Sequence, residues 1–182
     1  VDTKEKLSGV TIALHWIVAA GMIALLAMGM YMADFEVGAL FPLHKALGVI
    51  FFLVIMARVF WRVKTGWPAT VREYPTWEHK LAVLTHWVLI IGTVLMPLSG
   101  FIFSGASGHG VDVFGLVLAP TNPDPADPTK VIAFNGPVAH LGHEAHEILG
   151  NIMVAAIALH IVGAYKHHFL DKDRTMLRML GK

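Results

Sequence analysis

Eleven histidines and no cysteine stand among the 182 residues of this chain. Two of the histidines bracket one apolar stretch, HEILGNIMVAAIALH, which runs from His146 to His160. Near neutral pH an imidazole can ligate a metal, relay a proton or simply hydrogen-bond. The spacing narrows the choice: 14 residues separate the two rings, a rise of about 21 Å along a helix. It is also about four turns at roughly 3.5 residues each, so both rings project from nearly the same face. His140, His143 and His146 add an H-x-x-H-x-x-H run. HEAHE is not the H-E-x-x-H of zinc hydrolases, so hydrolytic metal chemistry is a poor reading, and His140 and His143 read as interfacial.

The elements that must carry these rings are written in the hydropathy. The composition is 55% hydrophobic with a mean hydropathy of +0.62, too apolar for an ordinary soluble domain. Four apolar runs appear, at about 10–32, 44–63, 80–105 and 139–169. Each is long enough to cross a hydrocarbon core about 30 Å thick. The expected fold is all-α: a transmembrane four-helix bundle, one membrane-embedded domain over 1–182. Pro97 predicts a kink in the third run, and Gly92, Gly100 and Gly105 let helices approach closely in lipid. A long connection at 106–138 contains APTNPDPADPTK. The apolar piece VDVFGLVLAP within it is expected to fold over the helix ends. The first run is too long for a cleavable leader and lacks a small-residue cleavage site. The missing cysteines exclude disulfides, iron–sulfur clusters and haem attached through C-x-x-C-H.

Orientation follows from lysine and arginine. Twelve of the 14 basic residues fall before the first run, around the second connection or after the fourth run. Only Lys45 and Lys130 fall on the other side, with seven acids: Asp34, Glu36, Asp112, Asp124, Asp127, Glu144 and Glu147. Both termini are therefore expected in the cytoplasm, beneath an acidic outer face.

That topology sorts four histidines into two depths. His15 and His160 lie at the inner level, His44 and His146 at the outer. Haem iron accepts two axial imidazoles, and helices of a bundle can present them across the macrocycle. Each candidate has a small residue one turn away: Ala19 after His15, Gly48 after His44, Gly150 after His146 and Ala156 before His160. Arg58, 14 residues after His44, faces the same way at the inner level, where a haem propionate would want a cation. His86 lies near the same level as a contact for a propionate or a quinone. The competing reading for any one of these residues is helix packing, or for Arg58 the membrane boundary. His79, His109, His167 and His168 read as solvent or interface residues.

The motifs ALHWIV, LHKALGVIFFLVIMARVFWRVK, THWVLIIGTVLMPLSG, GHGVDVFGLVLAP and AHEILGNIMVAAIALH together resemble the bacterial di-haem cytochrome b561 family over nearly the whole chain. The resemblance implies two noncovalent b-type haems, one held by His15 and His160 and the other by His44 and His146. It also implies electron transfer between the periplasmic side and ubiquinone in a bacterial inner membrane. A member of that family oxidises superoxide and reduces ubiquinone. The acidic outer face here repels an anion and suits a basic electron-carrier protein. Three readings stay open. The chain is a quinone-linked oxidoreductase itself, or the membrane anchor and electron wire of a larger dehydrogenase. Otherwise it is a haem-free transporter with histidine proton relays. Lipid and quinone are the expected partners, with either a basic carrier or a dehydrogenase subunit; nucleic acid is not.

Overall fold

The computed structural model describes residues 2, 3 and 6–182; Lys4, counted above among the basic residues, lies outside the described residues. Four long helices follow the four apolar runs: α1 Gly9–Asp34, α2 Phe41–Thr65, α3 Thr76–Ala106 and α4 Gly136–Tyr165. All four are long and apolar enough to cross a membrane. α1, α2 and α3 overrun the hydropathy boundaries by a few residues, while α4 begins earlier than its run and stops at Tyr165, short of 169, because local signals rather than hydropathy stop a helix. The Ser8 hydroxyl caps α1 by accepting from the Thr11 amide, and Asn135 caps α4 by accepting from the Val138 amide. Each such cap contributes about 1 kcal/mol. Prolines open α2 and α4 where no amide donor is needed, and Gly66 at φ 72° ends α2. Pro97 is accommodated inside a continuous α3.

The helices run up and down, so the two ends of the chain meet. At this terminal end Trp16 Nε1 donates to the Met179 carbonyl at 2.8 Å. Arg178, on the short helix α5 Thr175–Met179, donates to the Thr3 and Ala69 carbonyls at 3.2 and 3.0 Å. Between α4 and α5 the chain widens into a π-helical turn, Lys166–Leu170, and folds back beneath α3. Lys166 pairs with Glu78 at 2.6 Å and with Asp171 at 2.7 Å, while Tyr74 donates to Asp173 at 2.8 Å. His167 and His168, read from the sequence as solvent or interface residues, are both half-buried. The returning tail brings Asp171 and Asp173 within 3.1 and 3.0 Å of His167 Nδ1 and sets its ring 4.8 Å from that of Tyr74.

The opposite, hairpin end carries two short antiparallel strands absent from the sequence reading, β1 Val111–Val113 and β2 Leu116–Ala119. The turn between them needs positive φ at both central residues, and Phe114 and Gly115 supply 51° and 97°. Only the foot of this hairpin packs down. Val111 is 2% exposed, but Phe114 is 70% exposed and Leu116 64%. Lys45 holds the foot in place, donating to the Gly110 carbonyl at 2.8 Å and to that of His109 at 3.3 Å.

The core lies between the two ends. Val18, Met22 and Leu26 of α1 meet Ile55 of α2, Met96 of α3 and Met153 of α4. Close α3–α4 packing depends on two glycines. Gly92 accepts the Met153 side chain, and a Cβ at Gly142 would sit 2.8 Å from the Phe103 amide nitrogen.

Candidate functional site

The long helices bring the four singled-out histidines together as two pairs. At the terminal end His15 of α1 faces His160 of α4 with ring centres 6.1 Å apart. At the hairpin end His44 of α2 faces His146 of α4 with ring centres 6.3 Å apart. All four rings are half-buried. The methionine-rich core separates the two levels, since Val18, Met22 and Leu26 follow His15 along α1 before the hairpin end is reached.

The spacing suits one metal ion between each pair. A metal–imidazole bond is about 2 Å, and the ligating nitrogen lies roughly 1 Å from its ring centre, so two rings sharing one ion stand about 6 Å apart. Direct hydrogen bonding between the rings would hold them closer. At the hairpin end the donor chemistry agrees. His146 Nδ1 lies 2.9 Å from the Met96 carbonyl and 3.1 Å from Ser99 Oγ. A carbonyl only accepts, so the proton sits on Nδ1 and the Nε2 lone pair is left for a metal. The Ser99 hydroxyl donates to the same Met96 carbonyl at 2.9 Å, which fixes the acceptor in place. His44 Nδ1 is buried with no hydrogen-bond partner among the described residues, a polar atom otherwise costly to bury.

The small residues read from the sequence divide by role. Gly48 lines the apolar cavity between His44 and His146, and a Cβ there would meet nothing within 4 Å. A Cβ at Gly150 would meet only the Met96 methyl, at 3.9 Å. Ala19 is half-buried and Ala156 buried. Gly100, assigned above to general helix packing, is closer to the chemistry. A Cβ there would lie 3.0 Å from His146 Cε1, so any larger residue turns the ring. Ser99 and Gly29, the latter 3.5 Å from His44 Cε1 on the same measure, carried no sequence signal of their own.

The terminal end is electrostatically different. Arg58 Nη2 lies 3.5 Å from His15 Nδ1, too long for a good hydrogen bond. Arg58 has no carboxylate within ion-pair distance among the described residues, so a half-buried cation faces this pair. His86 joins the group, its ring centre 5.3 Å from that of His160 and 5.8 Å from that of Trp67. Its outward side is exposed. Trp67 also packs against Trp87 at 5.6 Å and beneath the Arg62 guanidinium at 5.7 Å. An exposed imidazole thus stands between an aromatic wall and the half-buried pair.

The remaining histidines are not drawn in. His79, His109, His140 and His143 are exposed. Glu78, His167 and Asp171 have donor atoms within 4.8 Å of one another, but the Lys166 ammonium already bridges the two carboxylates.

Both pairs, the apolar cavity between His44 and His146 and the Arg58 guanidinium beside His15 fit a haem that two histidines would hold. Comparison with known proteins points the same way. The family model described as prokaryotic cytochrome b561 matches residues 6–182. Cytochrome b561 homolog 2 of Escherichia coli strain K12 is 29% identical, covering 100% of this chain and 94% of the relative. Cytochrome b561 homolog 1 of the same strain is 27% identical over 98% of each chain. A Yersinia pestis protein named probable superoxide oxidase CybB is 25% identical, over 98% of this chain and 97% of its own length.

Proposed function

This chain belongs to the prokaryotic cytochrome b561 family and is a membrane electron-transfer protein; on that premise we propose that it carries two b-type haems and exchanges electrons with the quinone pool. The observation that carries this reading is the pair of opposed histidine couples at 6.1 and 6.3 Å, one at each end of a single bundle. His15 and His160 would hold one haem, His44 and His146 the other. Bound there, haem supplies reversible one-electron chemistry. The protein's own residues set its conditions. Met96 and Ser99 hold His146 in the ligating tautomer, Gly48 and Gly150 leave room beside the rings, and Arg58 supplies the cation for a propionate. The core excludes water between the two levels. Basic residues gathered at the terminal end support placing both termini in the cytoplasm of a bacterial inner membrane.

The quinone contact belongs at His86. Its imidazole can donate to a quinone carbonyl while Trp67 stacks on the ring, within reach of the couple at the terminal end. On the hairpin side the charges support a cationic electron-carrier protein rather than superoxide. Both outer lysines are engaged, Lys45 with loop carbonyls and Lys130 with Asp127 at 3.1 Å. Glu144, Glu147 and Asp112 stay exposed, and such a field repels an anion.

The test is reduction of the purified protein in lipid, followed in the haem spectrum by stopped flow. Quinol is expected to reduce it rapidly, and pyridine haemochrome analysis to give two noncovalent haems per chain. Superoxide is expected to react slowly, and faster as salt screens the repulsion over about 8–10 Å. Fast superoxide reduction that slows with salt overturns the charge reading and makes superoxide oxidation the leading activity. A second redox-active chain that co-purifies supports instead the anchor of a larger dehydrogenase.

A further inference from the structure

The outward face of α4 differs at mid-span from those of the other three long helices. At mid-span the exposed residues of α1 include Ile23 and Ala24, those of α2 Leu53 and Met56, and those of α3 Ile91 and Leu95. These are lipid-facing choices. On α4 the exposed residue nearest the middle of Gly136–Tyr165 is Asn151. Its Nδ2 donates to the Glu147 carbonyl at 3.1 Å. Among the described residues its Oδ1 and second N–H have no partner, and hydrocarbon offers none.

Asn151 is not alone in its register. Glu144, Glu147, Asn151, Val154, Ala158 and Ile161 are all exposed and follow one another at alternating steps of three and four residues. That is the a/d seam of a heptad repeat. At roughly 100° per residue it lies some 60–180° around the helix from His146 and His160, away from the bundle. The seam has Asn151 at an a position and the small Ala158 one heptad later. In parallel coiled coils a single buried asparagine at a fixes a two-stranded register, and small residues let membrane helices approach.

We propose that this face of α4 is the contact between two copies of this chain, related by a two-fold axis along the membrane normal. The occupant is a second copy because the seam is complementary to itself. Parallel self-pairing sets Asn151 against Asn151 of the other copy, and an amide, being both donor and acceptor, satisfies its own kind. Glu144 and Glu147 lie in the outer turns where water reaches them, so the seam closes from Asn151 inward through Val154, Ala158 and Ile161.

The natural absence of cysteine makes single-cysteine oxidation in native membranes a clean test, with the haem absorbance spectrum as the check on folding. Ala158→Cys is expected to give a covalent dimer. Leu53→Cys, 68% exposed on α2, is expected to stay monomeric. Adding Asn151→Leu to Ala158→Cys should lower the dimer yield about three- to tenfold, from the energy of one interhelical polar contact. Asn151→Gln, which keeps the amide, should largely retain it. Equal yields at positions 158 and 53, or no response to Asn151→Leu, overturns the proposal. So does a crosslink from Ala158→Cys to a different chain, which would give the face to another subunit.

Discussion

The two histidine couples share one helix and nearly one spacing, yet their surroundings are opposites. The couple at the hairpin end is anchored and uncharged. His146 is tied to the Met96 carbonyl and Ser99, Gly100 fits against its ring, and the nearest lysine is engaged by loop carbonyls. The couple at the terminal end has a guanidinium beside it, a third imidazole against His160 and an aromatic wall open to lipid. One level holds its ring by hydrogen bonds, while the other faces a guanidinium and an exposed imidazole. Two haems held as proposed would thus differ in potential through what lies next to the rings, since nearby charge and hydrogen bonding tune haem potential.

The sharpest way to break this contrast is to remove a ligand. His15→Ala and His160→Ala should each abolish the same component of a redox titration, and His44→Ala and His146→Ala the other. Loss of one shared component in His15→Ala and His44→Ala would falsify the pairing by depth.

Next in size is the exchange site. His86→Ala should slow reduction by quinol about tenfold or more, the scale of one lost hydrogen bond with its positioning, and leave both haem spectra intact. If quinol reduction is unchanged, the quinone enters elsewhere.

Arg58→Ala should lower the midpoint potential of the terminal-end component alone, because a nearby cation disfavours the oxidised, more positive iron. Equal shifts in both components would show that the charge is not local.

Ser99→Ala should have a smaller effect, confined to the hairpin-end component. It removes one of two contacts to His146 Nδ1, worth about 1 kcal/mol, and the change is read in the electron paramagnetic resonance of the oxidised protein.

The smallest effect concerns the tail that closes the terminal end. Burial pushes the Asp173 carboxyl up, but hydrogen bonds from Thr175 and Tyr74 and the nearby His167 bring it below its ordinary range. A carboxyl lowered in the folded state contributes stability above its ordinary value and loses it as pH falls through the lowered one. Amide exchange of 171–180 should therefore speed up in acid before that of the hairpin foot does, and Asp173→Asn should remove the difference.

Much of this architecture was legible in the chain itself. The four spans are long local patterns, and hydropathy needs no partner to be read. The pairing of His15 with His160 and His44 with His146 followed from counting turns, because rise and facing along a helix are fixed by its own geometry. His86 was placed near the correct level for the same reason. The hairpin was missed because its strands are three and four residues long, too short to show a period. The partners of His167 were not legible because they depend on a tail returning from beyond a π-helical turn.

What the sequence determined alone was therefore axial: which segments cross, how deep each ring sits and toward which side it points along its own helix. The tertiary structure decided what is lateral. It made the Met96 carbonyl and Ser99 the support of His146, put Gly100 against that ring and left Arg58 without a carboxylate among the described residues. It also turned Asn151 outward. An α-helix fixes rise and rotation through hydrogen bonds between near neighbours, whereas the contacts between helices arise only when residues about 50 positions apart, such as Met96 and His146, are packed side by side.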